Sequence, residues 1–167
     1  EVVTIVGGHF VHDTFTAFLP TLLPLIIEKL GISLTLAGAL NAVSQIPALL
    51  NPLIGLLADR LSLRYFVIFA PAVTATFYAS LGLAPTPAVL GILLFAGGIS
   101  TAVFHAPAPA MIGRISGRRI GAGMSLFMAG GELGRTLGPL LAVWAVSTWT
   151  LEGAYRVMLL GWAAAAV

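Results

Sequence analysis

Apolar residues run in long continuous blocks along this chain, and polar residues are confined to short breaks between them. Continuous blocks predict helices, whereas half-buried strands would alternate. A helix that crosses a bilayer needs about 20 apolar residues. By that measure the blocks predict helices over 5–28, 33–59, 65–83, 88–112 and 120–146, with a sixth after the turn TWTLEGAYR, cut short at Val167. Short turns between them force antiparallel neighbours. The predicted fold class is all-α: a polytopic membrane protein built as a six-helix bundle.

Polar positions and prolines interrupt the blocks in a pattern. His9, His12, Asp13 and Thr16 are spaced i, i+3, i+4, i+7, which places them on one face of helix 1. Pro20 and Pro24 follow and bend its outer half. Asn41, Ser44 and Gln45 share a face of helix 2, ahead of breaks at Pro47 and Pro52. Gly91, Gly98, Thr101 and His105 lie near one face of helix 4, and Pro107 and Pro109 remove backbone donors just beyond. Such backbone is tolerated at membrane depth only against protein or a water-filled cavity. On helix 5, Gly130, Gly134 and Gly138 recur every four residues, with Ala142 next, forming a small ridge that lets another helix approach. That ridge points largely away from Glu132.

Composition closes off the soluble classes. The chain is 59% hydrophobic and 8% charged, with mean hydropathy +1.04; a soluble domain carries about 25% charged residues. Without cysteine there are no disulfides and no thiolate metal sites. Three histidines and no H-E-x-x-H argue against a metalloenzyme, so no metal, cofactor or catalytic residue is expected, and no basic, aromatic-rich run points to nucleic acid. The turns after helices 2 and 4 hold five Arg (Arg60, Arg64, Arg114, Arg118, Arg119), against Lys29 and Arg156 in the others. Basic residues concentrate on the cytoplasmic side, which predicts a cytoplasmic N-terminus.

Three groups carry candidate chemistry. Asp13 lies roughly 12 Å into helix 1, where an Asp costs about 2.5–3.5 kcal/mol on insertion scales. It must face a cavity or a partner, and a carboxylate there can exchange a proton as its surroundings change. His105 lies at similar depth on helix 4, either in that space or as a packing histidine bonded to a carbonyl freed by Pro109. Glu132 and Arg135 are spaced to pair, roughly 18–22 Å from the inner end, where the pair would be buried.

The turn Gly55 to Arg64, GLLADRLSLR, has the form G-x-x-x-D-R-x-x-x-R. It resembles the cytoplasmic loop motif of the major facilitator superfamily. Gly134-x-x-x-Gly138-Pro139 resembles that superfamily's helix-5 antiporter motif. HFVHDT, ISTAVFHAPAPA and GGELGRTLGPLL resemble its fosmidomycin-resistance branch. The resemblance implies that residues 1–167 are the N-terminal half of a twelve-helix fold with inverted three-helix repeats, partnered by a C-terminal half of the same chain or by a second half-transporter. It implies a secondary transporter of a bacterial inner membrane, working by alternating access. Proton-coupled efflux of a small organic compound, of the drug-resistance kind, is the expected activity. Symport or uniport of a metabolite stays open, as does a non-transporting scaffold. In that frame Asp13, His105 and Glu132 are the proton-coupling candidates. His9, His12, Asn41, Gln45, Thr101, Glu132 and Arg135 are the substrate-cavity candidates. Gly55, Asp59, Arg60, Arg64 and Arg114 form the gating motif, with Arg114 the proposed partner of Asp59.

Overall fold

A computed structural model describes residues 1–60 and 64–166, the side chains of 58–60 excepted. Among the described residues every regular element is helical: α1 (Val2–Thr16), α2 (Phe18–Leu30), α3 (Leu34–Gln45), α4 (Asn51–Arg60), α5 (Arg64–Ala79), α6 (Pro87–His105), α7 (Ala108–Ser116), α8 (Ile120–Gly153) and α9 (Met158–Ala165). Short 3-10 turns at Ile46–Leu50, Ser80–Leu83, Gly117–Arg119 and Ala154–Val157 join several of them.

The prolines place the breaks. Pro20 has no N–H for the carbonyl of Thr16, and the first run bends at Ala17, between α1 and α2. Pro47 sits in the 3-10 turn between α3 and α4. Pro107 and Pro109 separate α6 from α7. Ser33 and Thr86 cap α3 and α6 by accepting from Leu36 N and Val89 N.

The all-helical, polytopic class is as expected, but the helix count differs. Among the described residues four continuous apolar runs, not six, are long enough to cross a membrane: Val2–Leu30, Leu34–Leu57, Arg64–Leu83 and Pro87–Ala165. The fourth covers 79 residues, far beyond the length of one crossing. Inside it the chain turns at Gly117 (φ 50°, ψ −123°) and at Thr150 (φ 67°, ψ 174°). Both turns are tight and flanked by helical residues, so no coil marks them. The fifth predicted helix also extends further than expected, to the kink at Thr150.

The most extensive packing joins α1 to α8, followed by α5 with α9 and with α6. Glycines explain the first pair. A Cβ on Gly134 would strike the backbone carbonyl of Phe10, and one on Gly138 the carbonyl of Thr14 and the Cβ of Ala17. A Cβ on Gly130 would sit 2.8 Å from Val6. The predicted ridge is therefore the seam between α1 and α8, and Glu132 faces away from it, more than half exposed.

Polar contacts fix the two ends. Lys29 Nζ donates to the carbonyl of Gly82 at 2.6 Å and pairs with Glu152 at 3.0 Å. At the opposite end Glu1, Arg64, Met111 and Ile115 line one cavity. Both Arg-rich turns thus share an end with the N-terminus, and Lys29 lies at the other. An apolar core of Phe15, Phe18, Leu22, Leu90, Leu94 and neighbours fills the Lys29 half of the bundle. A smaller one around Phe104, Ile112 and Phe127 fills the Arg-rich half.

Candidate functional site

Between those cores lies a polar cluster built by α1, α6 and α8. Asp13, His12 and His9 are all buried. His12 Nδ1 meets Asp13 Oδ1 at 2.9 Å, and His9 Nε2 meets Oδ2 at 3.2 Å. From α6, His105 Nε2 approaches Oδ1 at 3.4 Å. From α8, Arg135 Nη2 lies 3.0 Å from Oδ2, while its Nη1 donates to Glu132 Oε1 at 2.9 Å. One carboxylate thus meets three imidazoles and a guanidinium, which compensates the cost of holding it inside a membrane helix.

The aromatic neighbours hold the rings. His9 stacks on Phe127 with centroids 3.9 Å apart, and His12 stacks on Phe104 at 4.5 Å. Gly131 makes room for His9, since a Cβ there would lie 2.6 Å from Nε2 and 3.0 Å from Asp13 Oδ2. The i+4 ridge drew attention to Gly130 and hid Gly131 beside it, although the Gly-Gly pair was the visible sign.

The hydrogen bonds assign the tautomers. A carbonyl oxygen only accepts. His9 Nδ1 therefore donates to Phe127 O at 2.8 Å, and His105 Nδ1 donates to Thr101 O at 3.1 Å. That carbonyl belongs to the preceding helical turn; it is not one freed by Pro109. A neutral ring with Nδ1–H presents a lone pair at Nε2. The two Nε2 atoms face each other at 3.3 Å, with the carboxylate of Asp13 beside both. Lone pairs so placed repel unless a positive charge is shared among them.

The cluster opens on one side. A cavity of about 460 Å³ is lined by Asp13, Thr16, Asn41, Ser44, Gln45, Tyr78, Thr101, His105 and Arg135, with Pro139 and apolar neighbours. Of the expected cavity residues, Asn41, Gln45, Thr101 and Arg135 line it. His9 and His12 stand behind Asp13, sealed from it, and Glu132 reaches it only through Arg135. The Glu132–Arg135 pair forms, but it is exposed, with side chains 60% and 51% accessible, rather than buried as its depth implied. Tyr78 is an addition: after Arg64 at its start α5 has no charge to mark it, and Gly97 leaves space for its ring. The gate is only partly visible. A Cβ on Gly55 would touch nothing within 4 Å, and Arg64 lies beside Glu1. Asp59 and Arg60, and the proposed contact of Asp59 with Arg114, fall outside the described side chains.

Comparison with known proteins agrees with this architecture. The sequence profile of the Major Facilitator Superfamily matches residues 5–167. The chain is 25% identical over 167 aligned residues to the uncharacterized MFS-type transporter YfnC of Bacillus subtilis (strain 168), covering 91% of this chain and 39% of that protein. It is 27% identical over 139 residues to the fosmidomycin resistance protein of Escherichia coli (strain K12), covering 81% of this chain and 34% of that one. The chain therefore spans between a third and two fifths of the length of these relatives.

Proposed function

The chain belongs to the major facilitator superfamily, and on that premise we propose that it is the N-terminal part of a secondary transporter that expels a small organic compound in exchange for protons. The transporter family and the multi-pass membrane character follow from the family match and the long apolar helices. The direction, the coupling ion and the substrate are our reading.

One observation carries it: Asp13, His9 and His105 face one another at 3.2–3.4 Å with their lone pairs converging, at the wall of a polar cavity inside a membrane bundle. A positive charge belongs in that arrangement, and a proton fits without any rearrangement. Asp13 lines the cavity, so a proton can reach it from the aqueous side to which the cavity opens. Alternating access then requires a partner of comparable size to close over the cavity and to open it on the other side. We assign that role to a C-terminal half. Its seat is the side on which α4 and the 3-10 turn before it leave Leu49, Leu53 and Leu56 exposed.

Arg135 sits between Asp13 and Glu132 and reaches the cavity, which gives the substrate a charged anchor. Asn41, Gln45 and Thr101 add neutral hydrogen-bonding groups around it. The Arg-rich end is assigned to the cytoplasm of a bacterial-type inner membrane by its excess of basic residues. The gating reading of Gly55, Asp59 and Arg114 stands on the motif in the sequence.

The test is transport by the complete protein in proteoliposomes, with labelled fosmidomycin as the first compound because one relative is named for resistance to it. Imposing a pH gradient, acid on the trans side, should drive accumulation at least tenfold above the level without a gradient. Equal uptake in both conditions would leave a facilitator without proton coupling.

A further inference from the structure

The same three ligand groups have the spacing of a metal site, and we propose that His9, Asp13 and His105 bind a divalent first-row transition metal, with Zn²⁺ the best fit. This inference rests on the positions of ligand atoms and not on transport.

The distances carry it. In a tetrahedral zinc site the metal–nitrogen bonds are about 2.0–2.1 Å, which sets two ligand atoms about 3.3–3.4 Å apart. His9 Nε2 and His105 Nε2 are 3.3 Å apart. The Asp13 carboxylate meets the two rings with different oxygens, Oδ2 at 3.2 Å from His9 Nε2 and Oδ1 at 3.4 Å from His105 Nε2, so a small turn of the carboxylate brings one oxygen to a metal held between the imidazoles. One ligand atom from each residue lies within 4.8 Å of the others. Three protein ligands leave the fourth position to water, and His105 and Asp13 line the cavity from which water and metal would arrive.

The surroundings fit as well. Metal-binding histidines donate their other ring N–H to a carbonyl or carboxylate, which fixes the tautomer. His9 does so to Phe127 O and His105 to Thr101 O. His12 does not belong to the ligand set. Its Nδ1 is bonded to Asp13 Oδ1 and it supports the carboxylate from the side. Two imidazoles and one carboxylate favour zinc over magnesium or calcium, which prefer all-oxygen sites. The residues come from positions 96 apart in the chain, so no local spacing motif announces them.

Arg135 opposes the cation, because its guanidinium lies 3.0 Å from Asp13 Oδ2. It also has an alternative partner in Glu132, to which it is already bonded. Arg135→Gln should therefore tighten metal binding, which a residue with only a packing role would not do. The charged and titratable groups around the three ligands are His12 from α1, behind Asp13, and Arg135 from α8, with Glu132 beyond it, while Tyr78 from α5 lines the cavity beside them.

The experiment is Co²⁺ titration of the complete, tag-free protein in detergent, followed by visible absorption, with Zn²⁺ as competitor. We expect one Co²⁺ in this pocket with the intense spectrum of tetrahedral coordination, displaced by Zn²⁺. His9→Gln and His105→Gln should each weaken binding at least tenfold. His12→Gln, which alters only the support of the carboxylate, should weaken it less than either, and Arg135→Gln should strengthen it severalfold. Circular dichroism of each variant checks its fold. X-ray absorption of the wild-type zinc complex, which needs no variant, should show mixed nitrogen and oxygen ligands including two imidazoles. A wild-type protein without a tetrahedral Co²⁺ spectrum overturns the proposal, as does one whose binding survives both His9→Gln and His105→Gln. Metal binding without proton-driven transport would leave this inference standing and remove the transport reading; the reverse result would do the opposite.

Discussion

The run formed by α1 and α2 and the run formed by α3 and α4 are neighbours in sequence and similar in hydropathy, yet they sit in opposite environments. In the most apolar window of Val2–Leu30, 44% of residues are buried inside the chain, against 17% in that of Leu34–Leu57. The first run is closed in by α8 through glycines, and its buried face carries His9, His12 and Asp13. The second shows Leu49, Leu53 and Leu56 to the outside, 78%, 62% and 64% exposed, and turns only Asn41, Ser44 and Gln45 toward the cavity. Hydropathy alone cannot separate them, because lipid and protein interior are equally apolar. Small residues and ionisable groups do: both mark the face that protein covers.

The two environments separate most strongly when the same side chain is added to a glycine in each run's interface. Gly134→Val forces a branched side chain into the carbonyl of Phe10. Overpacking of this kind costs about 1–3 kcal/mol or more, so thermal unfolding in detergent should show a strongly lowered midpoint or no folded protein. Gly55→Val meets nothing within 4 Å and should leave the midpoint of this chain unchanged. In the complete transporter, however, it should cut the transport rate about tenfold if a helix of a partner half approaches there. Equal destabilisation by the two substitutions would erase the distinction between the runs.

Two smaller effects sharpen it. Asp59→Asn, at the end of the open run, should slow transport severalfold without altering membrane insertion, measured by uptake rate and by the amount of inserted protein. Unchanged uptake would reduce Asp59 to a topology signal at the surface. Glu132→Gln should have the smallest effect. Its partner is exposed and keeps Asp13 as a second anion, and exposed ion pairs contribute about 0–1 kcal/mol. A larger loss of stability would place Glu132 in the closed region after all.

These contrasts also show what could be read from the residues. The polar face of α1 was legible because i, i+3, i+4 spacing puts His9, His12 and Asp13 together whatever surrounds them. The α8 glycines were legible as a seam, and the prolines as breaks. His105 could be placed on a face but not against His9, since nothing local ties positions 96 apart. The backbone carbonyls of Phe127 and Thr101, which set both tautomers, carry no sequence signal at all. Tyr78 stayed hidden in a run whose charge, Arg64, lies at its far end. The burial of Glu132 was misjudged because depth along a helix does not say which way a residue faces. The helix count differed for a related reason: the turns at Gly117 and Thr150 reverse direction through helical and 3-10 backbone, without the coil that would divide the last run.

In the proposed mechanism Asp13 holds the charge that couples transport to protons. Asp13→Asn keeps the size and the hydrogen bond from His12 but removes the negative charge that draws His9, His105 and Arg135 together. The direct measurement is substrate accumulation by the complete protein in proteoliposomes under an imposed pH gradient, wild type beside Asp13→Asn, with downhill exchange as a control for folding. The variant should lose gradient-driven accumulation and keep downhill exchange. Accumulation against the gradient by the Asn variant at the wild-type level would contradict it.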